Sequence, residues 1–181
     1  YLTDVLSLST NVLWWITGII MFARVFDAFN DPIMGVIVDN THSKFGRFKP
    51  WICLGSVLSG VFTILLFTDF GLVGAPYIIV FAIIYLLWGI TYTMHDISYW
   101  GMVPALGSDA GARDLFTSRA TLFAGIGGII ASILIPMLTT GENAIGGSAS
   151  TAYAVIALVI GIVIGLVVLV AGAVCLIKFK K

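Results

Sequence analysis

The chain has 181 residues, 60% of them hydrophobic and only 10% charged, with a formal net charge of +0 and a mean hydropathy of +1.10. It carries too little polar surface to cover a water-soluble globule, so a bilayer is its natural solvent and membrane lipids are its natural neighbours. No basic tract is long enough to track a phosphate backbone, which excludes nucleic acid as an expected partner.

A membrane helix needs about 20 mostly apolar residues to cross the hydrocarbon. Segments of that kind fall near 11–38, 51–69, 76–100, 117–138 and 153–177, so the sequence predicts an all-α, polytopic membrane protein with five spans. Ahead of the first span, residues 1–10 read as the outer end of a preceding helix and a short loop. There is no initiator Met, basic n-region or small-residue cleavage site, so the chain is expected to begin inside a longer protein. The first span contains Arg24, Asp27, Asn30, Asp31 and Pro32. The connection after it, 40–50, holds Lys44, Arg47 and Lys49. Cys53 in the second span and Cys175 in the fifth lie in apolar runs and are expected to pack rather than pair or bind metal. The third span carries Thr93, His95, Asp96 and Trp100. Connections are expected at 69–76, 103–114 and 140–151, where turn chemistry collects. Gly125, Gly127 and Gly128 in the fourth span, and Gly161 and Gly165 in the fifth, are expected to let helix backbones approach closely. Trp14, Trp15, Tyr77, Tyr99 and Trp100 fit interfacial or cavity-lining positions equally well.

Orientation follows from the basic residues, which are retained on the cytoplasmic side. Lys44, Arg47 and Lys49, then Arg113 and Arg119, then Lys178, Lys180 and Lys181 mark alternate connections, while those holding Asp69 and Glu142 have no Lys or Arg. The Tyr1 end is therefore expected outside and the Lys181 end in the cytoplasm of a multi-pass cell-membrane protein. Arg24 alone is left within a span.

Ionisable side chains in a span cost at least about 2.5 to 3.5 kcal/mol each on insertion scales, so several together need a reason. Arg24, Asp27, Asn30 and Asp31 share one helical face by their spacing, as do Thr93, Asp96 and Trp100, whereas His95 is turned away from Asp96 by about 100°. Counting from the cytoplasmic ends puts Asp31 and Asp96 at one depth. Asp27, Asn30, Asp31, Thr93 and Asp96 together offer the hard oxygen ligands that a small cation such as Na⁺ or Li⁺ requires, and a proton could instead reside on one carboxylate. Facing carboxylates repel in a low dielectric, and a bound cation relieves the repulsion. For Arg24 itself, pairing with Asp27 or Asp31 as a structural counter-charge is the expected role.

The run ARVFDAFNDPIMGVIVDNTHSKFGRFKPW at 23–51 resembles the signature of the glycoside-pentoside-hexuronide:cation symporters, the melibiose-permease-like branch of the major facilitator superfamily. A second run, YLLWGITYTMHDISYWGMVPAL at 85–106, resembles the same family's fourth helix. The resemblance implies that the spans are helices two to six of a protein of two six-helix halves, the chain being an incomplete N-terminal half whose missing C-terminal half is its partner. It also implies that Asp27, Asn30, Asp31, Thr93 and Asp96 hold the coupling cation, Na⁺ or H⁺, with no other cofactor. Asp96 and Trp100 would face a sugar or glycoside, and Arg119 lies close to the arginine expected near that sugar. Gly35, Asp39, Gly46, Arg47 and Lys49 match the superfamily's loop that latches the cytoplasmic side.

Two other readings compete with a sugar symporter: a facilitator-superfamily carrier of lysolipid or drug, and a truncated membrane module that does not transport. Enzymatic activity is not expected, because no nucleophile stands beside a base and no Gly-rich phosphate loop follows a strand.

Overall fold

The computed structural model describes residues 2, 6, 8–106, 109–141 and 144–178, with the side chains of 104–106 and 167–178 left aside. Helices α1 (Thr10–Asp39), α2 (Lys49–Leu66), α3 (Ala75–Leu106), α4 (Ala110–Thr139) and α5 (Ala149–Lys178) follow one another, with a short 3-10 turn at Ile145–Gly147. All five are long and apolar enough to cross a membrane, matching the expected spans. The expectations for Glu142, Cys175, Lys178, Lys180 and Lys181 lie outside the described side chains, and the helix end and loop expected at 1–10 fall partly outside the described residues.

The helix ends differ from expectation where local hydrogen bonding decides them. Helix α2 stops three residues early because the amides of Phe67 and Thr68 turn to the carbonyls three residues back, at 3.3 and 3.2 Å. Asp69 then accepts from the Gly71 amide at 2.8 Å and closes an Asx turn. Helix α4 begins at Ala110 rather than 117 because Asp109 is its N-cap, its carboxylate accepting from the Ala112 amide at 2.7 Å. Helix α3 continues through Pro104 to Leu106, so both helices run into the stretch expected as a connection at 103–114.

Helix α1 packs on α3, and α2 packs on both α3 and α5. Glycine sets two of these approaches. A Cβ at Gly55 of α2 would stand 2.7 Å from the His95 amide nitrogen and 2.8 Å from the Thr91 carbonyl oxygen, so the α2 and α3 backbones touch there. Gly60 of α2 and Gly161 of α5 face each other, a Cβ on either falling 3.2 or 3.1 Å from the other's carbonyl oxygen. The first glycine of the GxxxG pair thus makes the expected close contact, while Gly165 has nothing within 4 Å. Gly125, Gly127 and Gly128 on α4 are equally open. Helix α4 packs lightly on α3 and α5, and its most apolar stretch contains no buried residue.

A ladder of rings runs down one face of α3: Tyr77, Phe81, Tyr85, Trp88, Tyr92, His95 and Tyr99, successive centroids lying 5.5 to 6.3 Å apart. Their steps of three and four keep them on one stripe, which accounts for Tyr77 and Tyr99. Trp88 donates from its indole nitrogen to the Thr63 hydroxyl of α2 at 3.0 Å. Trp14 and Trp15, at the start of α1, are exposed.

Candidate functional site

Along α1, the buried positions Val12, Ile16, Ala23, Met34 and Val38 trace the seam against α3. At one end Val12 and Ile16 join Phe81 in an apolar cluster; at the other Met34 and Val38 join Met94, with Phe48 and Trp51 packed alongside. Asp27 and Asn30 continue the same helical stripe between these clusters, at the three- and four-residue steps where core side chains would otherwise stand. The apolar seam is therefore interrupted in its middle by polar groups.

The contacts across this interruption fix the register of the two parallel helices. Asp27 is half-buried over Gly89, where a Cβ would meet the Asp27 Oδ1 at 3.4 Å. One turn further on, the buried Thr93 hydroxyl donates to the Asp31 Oδ1 at 3.2 Å. Between them the Asn30 amide nitrogen is buried with no hydrogen-bond partner. A buried polar atom left unpaired is costly, so it marks a place where a further ligand atom would be stabilising. Turning the amide end for end would put its oxygen there instead.

This pairing refines the expected depth. Asp31 stands level with Thr93, and Asp96 lies three residues further along α3, roughly 4.5 Å at 1.5 Å per residue. Asp96 is partly buried and on the same face of α3 as Thr93, with the exposed Trp100 one turn beyond and packed edge-on against Tyr99 at 5.3 Å. Among the described residues no three His, Cys, Asp or Glu side chains gather as a metal cluster. The donor set that does gather, with two carboxylates, an amide and a hydroxyl, suits a hard cation bound partly through neutral oxygens.

Arg24 pairs with Asp27 and not with Asp31. Its Nη1 lies 3.4 Å from the Asp27 Oδ2, and its Nη2 donates to the Tyr85 hydroxyl at 3.3 Å. The Arg24 side chain is 66% exposed, so the pair is not locked in place. Arg119 is exposed on α4 and makes no hydrogen bond or ion pair with this cluster among the described residues. A shallow groove on α4 lined by Thr117, Ser118, Thr121 and Leu122 is likewise separate from the carboxylates.

Sequence reasoning missed Tyr85, Gly89 and Tyr92. The signal was present for Tyr85 and Gly89, since positions 85, 89, 93 and 96 continue one stripe backward from Asp96, and for Tyr92 in the aromatic steps 85, 88 and 92. Tyr92 is half-exposed and lies within electrostatic reach of both Asp96 and Arg24. His95 turns to the ring ladder and to Gly55, away from the carboxylates of α1, as its rotation along the helix predicted.

The proposed cytoplasmic latch forms a compact turn at the end of α1. Asp39 and Arg47 approach to 3.4 Å with both side chains at least half exposed. Such a pair contributes on the order of 0 to 1 kcal/mol in water. The Arg47 guanidinium also lies 4.6 Å from the centre of the Phe48 ring, worth about 0.5 to 1 kcal/mol at an exposed site. Gly46 has φ +88, a left-handed conformation that costs another residue roughly 1 to 2 kcal/mol. The Ser43 hydroxyl donates to the Gly46 carbonyl at 2.6 Å and fixes that turn. Lys49 opens α2, with Pro50 in its first turn, and Gly35 lies within α1 with open space around it.

An all-helical, multi-pass membrane protein with a polar interruption in one helix seam is the class that this architecture defines. The family described as MFS/sugar transport protein matches residues 1–178. A lactose permease of Lactobacillus helveticus is 36% identical over 90% of the chain and 27% of its own length. A raffinose carrier protein of Pediococcus pentosaceus is 34% identical over 71% of the chain and 21% of its own length. A putative glycoside/cation symporter of Escherichia coli (strain K12) is 30% identical over 77% of the chain and 30% of its own length. The chain thus spans about a fifth to a third of the length of these relatives. It belongs to the MFS/sugar transport family, in its glycoside-pentoside-hexuronide:cation symporter branch.

Proposed function

We propose that the protein containing this chain carries a sugar or glycoside across the cell membrane in symport with a cation, Na⁺ or H⁺, by alternating access. The observation that carries the reading is the Asp31–Thr93 hydrogen bond, which joins α1 to α3 beside Asp27 and the unpartnered Asn30 amide. The relatives' names, lactose permease, raffinose carrier and glycoside/cation symporter, support a sugar as the cargo.

In this mechanism Asp27, Asn30, Asp31, Thr93 and Asp96 ligate the cation or accept the proton. Neutralising the carboxylates removes their mutual repulsion and lets α1 and α3 close around them. Asp96 accepts hydrogen bonds from sugar hydroxyls while Trp100 stacks on the apolar face of the ring. Sharing Asp96 between ion and sugar makes each bind more tightly with the other present, because the coupling is reciprocal. In this reading the turn containing Gly46, Arg47 and Lys49 closes against Asp39 on the cytoplasmic side, with the Tyr1 end outside and the Lys181 end inside.

The test is lactose uptake by the full-length carrier in membrane vesicles, with Na⁺ varied at fixed pH and then the pH gradient varied without Na⁺. Uptake that rises with one of the two cations supports symport and names the ion. Uptake indifferent to both removes it.

A further inference from the structure

The site on α1 and α3 and the latch at the end of α1 are joined by one side chain that neither role includes. Phe48 stands between Arg47 and the first turn of α2, and its ring is half-buried against the Met34, Val38 and Met94 cluster. The same ring is seated on Gly101 of α3, where a Cβ would fall 2.9 Å from Cε1 and 3.6 Å from Cδ1. Gly101 adjoins Trp100 and stands five residues beyond Asp96. The other face of the connection is anchored independently: the Trp51 indole donates to the Thr41 hydroxyl at 2.8 Å, and that hydroxyl donates to the Ile37 carbonyl at 2.7 Å. The 40–48 turn is thus fixed to α1 at Thr41 and to α3 at Phe48.

We propose that Phe48 is a positioning residue that sets the latch according to the position of α3, so that movement of the Asp96–Trp100 segment is relayed through Gly101 and the Phe48 ring to Arg47. The exposed Asp39–Arg47 pair is too weak to hold the turn by itself. Arg47 rests over the Phe48 ring, so displacing the ring displaces the guanidinium. Glycine at 101 is the residue that leaves room for the edge of the ring this close to the helix. A methyl there meets the tip of a side chain rather than backbone, so it moves the ring and leaves α3 in place. This inference rests on the symport reading above, and deepens it.

The experiment uses the full-length carrier with lactose as the probe, measuring uptake, lactose binding and tryptic cleavage after Lys44 and Arg47 in inside-out vesicles. Phe48→Ala is expected to lower Vmax about tenfold while the lactose Kd stays within about twofold. Cleavage of the turn is expected to speed up about tenfold, because the turn opens locally. Phe48→Tyr, which keeps the ring, retains both properties. Gly101→Ala reproduces the Phe48→Ala phenotype but adds nothing to it in the double variant, since the two remove one contact. Additive losses, a parallel loss of lactose binding, or unchanged cleavage in Phe48→Ala would each overturn the proposal. A parent carrier that fails to move lactose with any cation would instead count against the symport reading, and the cleavage measurements still decide whether Phe48 holds the turn.

Discussion

The α1–α3 seam and helix α4 are built from equally apolar stretches of sequence yet do opposite things. In the seam, polar groups of the two helices meet one another: the exposed Asp31 accepts from the buried Thr93, and the partly buried Asp27 meets Arg24 and the bare backbone at Gly89. On α4, Thr117 and Thr121 donate only to the carbonyls four residues back, and three glycines have nothing near them. A membrane helix gains little from hiding apolar side chains, since lipid is as apolar as the interior. Packing therefore follows the small and polar residues that have matching surfaces, and α4 finds few such surfaces within this chain. A polar cluster held by complementary contacts is what the proposed site rests on, whereas a run of glycines shows only that something can approach.

The largest effect should come from the centre of the seam. Asp31→Asn in the full-length carrier is expected to reduce lactose accumulation to an inside-to-outside ratio of about 1, with expression retained, because the carboxylate that the cation would neutralise is gone. Accumulation at the parental level in that variant would break the comparison. Next is Gly55→Ala, which drives a methyl into the α3 backbone behind Thr93. Overpacking of this kind costs roughly 1 to 3 kcal/mol, read as a lower midpoint of thermal unfolding in detergent. Gly125→Ala in the same chain sharpens the contrast, since it meets nothing within 4 Å and replaces glycine in a helix interior. It is expected to be stabilising by up to about 1 kcal/mol. The smallest effect belongs to Asp39→Asn, whose exposed partner Arg47 keeps its place over Phe48; stability should fall by no more than about 1 kcal/mol. Its uptake defect, by contrast, should exceed what that stability change explains.

Much of this was legible in the chain before its coordinates. Five apolar runs gave five helices, and the spacing of Arg24, Asp27, Asn30 and Asp31 put them on one stripe, because helical periodicity is a property of sequence. Axial register is not. Counting from helix ends set Asp31 against Asp96, but those ends do not share one depth, and the hydrogen bond pairs Asp31 with Thr93 instead. Gly89 went unnoticed because a missing side chain leaves no polar signature, although its place one turn before Thr93 was visible. Arg119 was reached through family resemblance alone, and this chain gives it no contact with the carboxylates. The early start of α4 depended on Asp109 serving as a cap, a role that an Asp in a loop-like run does not announce until its carboxylate meets the Ala112 amide.

The central claim is that α1 and α3 meet through Asp31 and Thr93 inside the membrane. In a background with Cys53 and Cys175 replaced by Ser, Asp31→Cys and Thr93→Cys together should form a disulfide on mild oxidation. Trypsin cleavage after Lys44 or Arg47 would then leave the two pieces joined until reduction, while pairing Thr93→Cys with Ile33→Cys, a position exposed on α1, should leave them separate. Free separation of the 31–93 pair after oxidation, or equally efficient joining through position 33, would contradict the account.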